Sequence, residues 1–176
     1  MTPSKPCYLL DAHAIRSRID ELCEVLTDCV NHGASVSFLL PFERAKALAF
    51  WEDVAHSVER GERLVLAVDD RAGGIVGTVQ LILQQPENQP HRADVAKLLV
   101  HSSARRQGLA RQLMNRLERL AREQQKTRLV LDTATGSDAE LFYHSCGWQK
   151  AGVIPDYALM PDGALTGTTV FYKAVE

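Results

Sequence analysis

The stretch "LLVHSSARRQGLARQLM", Leu98–Met114, opens as an apolar run, breaks into small and basic residues, and resumes as an amphipathic pattern. A strand that hands over to a helix through a glycine-containing loop leaves the first helical N–H groups without partners, and the helix dipole adds to their pull on anions. Arg105 and Arg106 supply countercharge, and Gly108 lets a ligand approach the backbone closely. The segment Arg105, Arg106, Gln107, Gly108, Leu109, Ala110 is therefore a candidate diphosphate cradle. In isolation the plainer reading, a solvated turn with Gly108 as its hinge, is favoured. The other nucleotide-phosphate loops are missing: there is no GxxxxGK[ST], and no GxGxxG between strand and helix.

Working outward, an apolar strand from Arg92 to His101 precedes this loop. A helix from about Gly108 to Gln125, a strand "RLVLDT" and a short helix "DAELFYHSCG" follow it. A crossover through a helix makes the two strands parallel. Upstream, "RLVLAVDD" and "IVGTVQLILQ" read as strands joined by the short connection "RAGG". Two helices come first. Asp11 is an N-cap for one in which Ile15, Ile19, Leu22, Leu26 and Cys29 recur at helical spacing, with Gly33 ending it. The other has Pro41 in its first turn and Gly61 past its end. "ALMPDGALTGTTVFYKAV" closes the chain as an antiparallel pair turning at Pro161-Asp162-Gly163. The fold class expected is α/β (α+β): a mixed, mostly antiparallel central sheet with one parallel strand-helix-strand step, flanked by helices. No repeat, low-complexity tract or linker divides it, so residues 1–176 are read as a single domain.

Composition narrows the function. With 45% hydrophobic and 24% charged residues, the chain is globular rather than disordered. A net charge of -2 gives no global pull toward nucleic acid or an anionic membrane, so neither is expected as a partner and any phosphate site is local. The four cysteines form neither a CxxC pair nor a disulfide framework, which argues against structural zinc and for a reducing, cytoplasmic compartment. "MTPSKPCYLLDAH" carries too short an apolar run for a signal peptide, and no run of about 18 apolar residues could span a bilayer.

The pattern [RQ]xxGx[GA], filled by Arg105, Gly108 and Ala110 after "VAKLLV", resembles the acetyl-coenzyme A loop of the GNAT N-acetyltransferases. About thirty residues on, "AELFYHSCGW" is similar to that superfamily's second signature, at Ala139, Phe142, Tyr143, Gly147 and Trp148. The resemblance covers roughly Arg63 to Val175. "GASVSF", "RADVAKLLV", "LDTATGS" and "MPDG" look closest to the branch of the tabtoxin-resistance acetyltransferase, with Asp94 where that branch has Glu and Ser102 where GNAT loops often carry proline. What the resemblance implies is acetyl-CoA as co-substrate, its pantetheine pairing like an added strand with the backbone of Leu98, Leu99 and Val100. It implies direct acetyl transfer to a primary amine of a small, amino-acid-like or antibiotic-like acceptor. Acetylation of protein N-termini or lysines is an alternative, as is a non-catalytic acyl-CoA sensor; a homodimer is a further option for assembly.

Individual residues are weighed beside it. Asp94 and Asp132 sit where strands disfavour aspartate. Close together they would raise each other's proton affinity, as a base for an ammonium needs, whereas each alone equally suits a turn cap. The resemblance makes Tyr143 the general acid to the departing thiolate; as a side chain alone it is a half-buried aromatic. Asp94 would act through an ordered water, with Asp132 holding the ammonium or sharing the proton. Ser37, Phe38 and Trp51 are the acceptor-pocket candidates, core packing being the stronger expectation for Trp51. Lys97 reads as a buried stem with an exposed ammonium, and Cys146 as a small hydrophobe. No metal site is expected.

Overall fold

Hydrogen bonding in the computed structural model begins with β1 (Tyr8–Leu10) laid beside β2 (Arg63–Asp69), and the description covers residues 5–176. Residues 1–4, part of the stretch read above for a signal peptide, lie outside the described residues. The other strands are β3 (Ile75–Ile82), β4 (Arg92–Val100), β5 (Arg128–Ala134), β6 (Gln149–Leu159) and β7 (Leu165–Ala174). All join one seven-stranded sheet in the order β1-β2-β3-β4-β5-β7-β6. Every neighbouring pair is antiparallel except β4 with β5, the parallel step expected from the intervening helix.

The first expected helix is two. Asp11 caps α1 (Ala12–Ser17) through its carboxylate on the Ala14 N–H at 2.7 Å, and the helical path is interrupted at Arg18 before α2 (Ile19–Asn31). The second begins at Arg44 as α3 (Arg44–Glu59), so Pro41 stands before the helix rather than in its first turn. These three helices cover one face of the sheet, burying Ile15, Leu22, Val25, Leu26 and Trp51 with Val65, Ala67 and Leu99. The opposite face is covered by α4 (Leu109–Glu123) and α5 (Asp138–Ser145). In α4, Leu113, Met114, Leu117, Leu120 and Ala121 fall on one stripe and pack on Leu66, Val68, Val79 and Val95. Burying each such leucine contributes about 1.5–3 kcal/mol, which fixes the helix axis across the sheet.

Two departures from regularity position the site. Strand β4 pairs with β5 only through Arg92↔Arg128, Ala93↔Leu129 and Asp94↔Val130, after which the two splay apart. Strand β4 also bulges opposite β3, between Thr78↔Leu99 and Gln80↔Ala96, with Lys97 at φ 55°. Strand β6 is much longer than the terminal pair expected, starting at Gln149. Among the described residues no helix is long and apolar enough to cross a membrane.

Candidate active site

The splayed strands open a cleft of about 590 Å³ between Val95–Val100 of β4 and Asp132–Ala134 of β5. Among the described residues no strand pairs past Asp94 with the edge of β4 that faces β5, which leaves that edge open to an extended ligand. Leu98, Leu99 and Val100 line the cleft as expected for backbone donors and acceptors, while the Leu99 side chain is core.

The cleft continues into a hollow of about 290 Å³ lined by Val100, Ala104, Arg105, Arg106, Gly108, Leu109, Ala110, Arg111 and Phe142. Gly108 occupies the N-cap of α4 at φ 78° and ψ 9°, a left-handed conformation that brings no side chain to cap the helix. The first turn carries no acidic residue, so the leading N–H groups face a basic hollow uncapped. A Cβ at Gly108 would meet nothing within 4 Å, which leaves the approach to those N–H groups open. The donor set thus fits a diphosphate. Gln107, expected with the cradle, is exposed and does not line the hollow.

On the facing wall stand Asp132 and Tyr143. Strand β5 carries Asp132, whose Oδ2 accepts from the Thr168 hydroxyl at 2.6 Å; no cation lies within 4 Å of it among the described residues. Tyr143 is placed by α5, 8% exposed, its ring packed against Phe142, Trp148 and Phe171. Burial pushes its hydroxyl well above the ordinary tyrosine value, with Cys146 and Asp132 adding to the effect. It stays protonated at neutral pH.

The structure separates the two carboxylates that the sequence reading paired. Asp94 lies where β4 and β5 are still joined and does not line the cleft. Its carboxylate is held by Arg92 and by the Gln85 amide at 3.1 Å. Trp51 is 0% exposed, with its indole N–H on the Leu22 carbonyl at 3.0 Å, so it is core rather than acceptor pocket. Phe38 stacks with Phe42 and Phe50 and does not line the cleft either; only Ser37 of the three does. The reason is geometric: the loop 32–43 reaches the cleft by its backbone around Gly33–Ser37 and turns its aromatics inward.

Lys97 is half-buried and its ammonium meets Ser37 at an exposed contact, as the buried stem and exposed ammonium of the sequence reading expect. Its side chain is drawn into the cleft wall, where Nζ donates to Ser37 Oγ at 3.2 Å and lies 5.8 Å from the Phe50 ring centroid. Burial, with the Arg63 guanidinium adding, lowers its ammonium below the usual lysine range, while Asp132 pulls it back up. The signal was present as a basic residue in an apolar strand. Thr168, which fixes Asp132, gave none. Cys29 also lines the cleft, but burial, with Asp28 adding, pushes its thiol up to about 11, so it is no nucleophile at neutral pH.

The geometry has relatives. Residues 21–148 match the family model "Acetyltransferase (GNAT) family". The human N-acetyltransferase 8 is 33% identical over 96 residues, 53% of this chain and 41% of that protein, so the chain spans about two fifths of its length. An N-acetyltransferase of Staphylococcus aureus Mu50 superposes with a TM-score of 0.79 at 15% identity, covering 99% of this chain and 100% of that one. The yncA protein of Salmonella typhimurium, a putative acetyltransferase solved with acetyl-CoA, superposes at 0.77 with 18% identity, over 99% and 95%.

Proposed function

Because the chain belongs to the acetyltransferase (GNAT) family, we propose that it is an acetyl-CoA-dependent N-acetyltransferase, acting on a primary amine of a small amino-acid-like or antibiotic-like acceptor. The observation that carries this reading is the unpaired edge of β4 leading into the uncapped, arginine-flanked start of α4, with Asp132 and Tyr143 opposite. Arg105, Arg106 and the leading N–H groups of α4 would hold the diphosphate, and the backbone of Leu98–Val100 the pantetheine arm. Acetyl-CoA, when bound, supplies the activated acetyl thioester.

The protein's task is then proton management. An alkyl ammonium with a pKa of about 10 must lose a proton before its nitrogen can attack. The Asp132 carboxylate, oriented by Thr168, is the group placed to take it. The Tyr143 hydroxyl, kept protonated by its burial, is the donor for a thiolate sulfur. Asp94, bound to Arg92 and Gln85, is assigned no proton.

The acceptor enters beside Ser37 and Tyr157–Met160 of the β6–β7 hairpin, and the loop carrying Ser37 is tied to that hairpin by the Leu40 N–H on the Pro161 carbonyl at 2.9 Å. A panel of primary amines assayed for thiol release from acetyl-CoA, with mass spectrometry of the products, tests the reading. It expects acceptor-dependent release and an acetylated amine. Tight acetyl-CoA binding without any acceptor-dependent release would instead mark a non-catalytic acyl-CoA sensor.

A further inference from the structure

Resting on the acetyltransferase reading above, we propose that Lys97 is the anchor for a carboxylate carried by the acceptor, so that the substrates are amines bearing an acid group. An ammonium has three donors, and Nζ of Lys97 uses one, on the neutral Ser37 hydroxyl at 3.2 Å. No carboxylate of the described residues lies within 4 Å of it. The ammonium stands at the exposed face of the cleft with donors to spare, and packing of the stem alone would be served as well by methionine.

The backbone points the same way. Lys97 is held at φ 55°, a conformation that side-chain-bearing residues rarely adopt, at the bulge where β4 breaks register with β3. The bulge takes Lys97 out of strict alternation and delivers its side chain beside Ser37 and Phe50, on the acceptor side of the cleft. Arg63, whose charge bears on Lys97, does not line the cleft and is committed to Ser57 Oγ at 2.8 Å and Gln80 Oε1 at 2.7 Å. Two cations line the cleft among the described residues: Arg105 at the end leading to the start of α4 and, beside Ser37, Lys97. Opposite it, Asp132 is a carboxylate without a cationic partner, and the two do not pair with each other within 4 Å. A cleft with a free cation on one wall and a free anion on the other is complementary to a molecule bearing both an ammonium and a carboxylate. The carboxylate on Lys97 leaves the amine on the side of Asp132, where the proton must go.

Matched pairs test the assignment: phenylalanine with phenethylamine, valine with isobutylamine, ornithine with putrescine, each assayed with acetyl-CoA. A hydrogen bond between charged groups predicts that kcat/KM favours the carboxylate member by about 10- to 100-fold, chiefly through KM. In Lys97→Gln the ratio within each pair should fall to about one, while Lys97→Arg keeps most of it. A readout without turnover is calorimetric binding of the carboxylate member to the enzyme–CoA complex, expected for wild type and lost in Lys97→Gln. Equal kcat/KM within the pairs for wild type would overturn the carboxylate anchor and leave the acetyltransferase standing. Turnover of no amine in either set would overturn the acetyltransferase reading, and the anchor with it.

Discussion

In the proposed mechanism Tyr143 and Asp132 divide the proton work between a buried hydroxyl and an exposed carboxylate, and each can be removed with little change of shape. Tyr143→Phe keeps the ring against Phe142, Trp148 and Phe171 but has no proton to give. Turnover should fall by about 10²- to 10⁴-fold with acetyl-CoA affinity near wild type. Full turnover under conditions where chemistry limits the rate would make the tyrosine a packing residue. Because burial raises the Tyr143 value, its protonated form persists as pH rises, so the wild-type rate should not fall on this account even at mildly alkaline pH. Asp132→Asn removes the proton acceptor. The residual kcat/KM should then follow the free-amine fraction of the substrate, rising about tenfold per pH unit up to about pH 10. Asp94→Asn, changed outside the cleft, should stay close to wild type at every pH, and a loss as deep as that of Asp132→Asn would return Asp94 to the mechanism.

At the scale of elements, the start of α4 and its seat on the sheet carry separate predictions. Asparagine and aspartate are nearly the same size and both tolerate the left-handed conformation that Gly108 adopts, so Gly108→Asn and Gly108→Asp differ mainly in charge. Calorimetry should show much weaker acetyl-CoA binding for the aspartate variant, since a carboxylate would stand among the N–H groups meant for the diphosphate. Equal affinities would mean that no anion binds there. A Cβ at Gly77 would lie 2.9 Å from Val68 Cγ1 and 3.1 Å from Leu113 Cδ1, so Gly77→Ala must push α4 off the sheet. Overpacking of this kind costs about 1–3 kcal/mol, at about 2–4 °C of Tm per kcal/mol in a chain of this size. A melting curve that does not move would show that α4 can shift freely. These elements were the most legible ones in the sequence, because strand, loop and helix around Gly108 each carry a local signal: an apolar run, a glycine, a 3.6-residue stripe. The expected strands β2 to β5 and both late signatures follow the same logic. What sequence could not supply was direction. Trp51, Phe38 and Asp94 have the right chemistry for a site, yet one packs under Leu22, one stacks on Phe42 and one is held by Arg92. Lys97 was visible as an oddity, but only a register shift between β3 and β4 decides which way it points.

For the molecule as a whole, the cleft exists because the β4–β5 joint is short, and the two walls depend on ties elsewhere. The core beneath α4 crosses the joint, joining Val79 and Val95 to Leu129, Leu131 and Phe171. On the other face the tie between α2 and the diphosphate loop is polar. Asp28 of α2 accepts from both the backbone N–H and the hydroxyl of Ser102 at 2.7 Å, and His101 lies 3.5 Å from the same carboxylate. Burial alone would raise the Asp28 value, but the two Ser102 bonds, with His101 and His32, outweigh it and hold the carboxyl below the usual aspartate range. Glu21 is lowered too, first through Arg18 and also through the Ile75 N–H, against the effect of burial. A carboxylate whose folded value lies below its unfolded value stabilises the fold above the unfolded value, about 3.9 for aspartate, and stops doing so as pH falls through the folded one. Wild-type Tm should therefore be lost on acidification below about pH 4. Asp28→Asn, with the charge and one good acceptor gone, should cost about 1–3 kcal/mol at neutral pH and weaken acetyl-CoA binding by loosening the loop. The two melting curves should converge at acid pH, once wild-type Asp28 is itself protonated. If the difference between them persisted undiminished into acid where wild-type Asp28 is protonated, the contribution of Asp28 would be steric rather than ionic, and the tie between α2 and the loop would owe nothing to its charge.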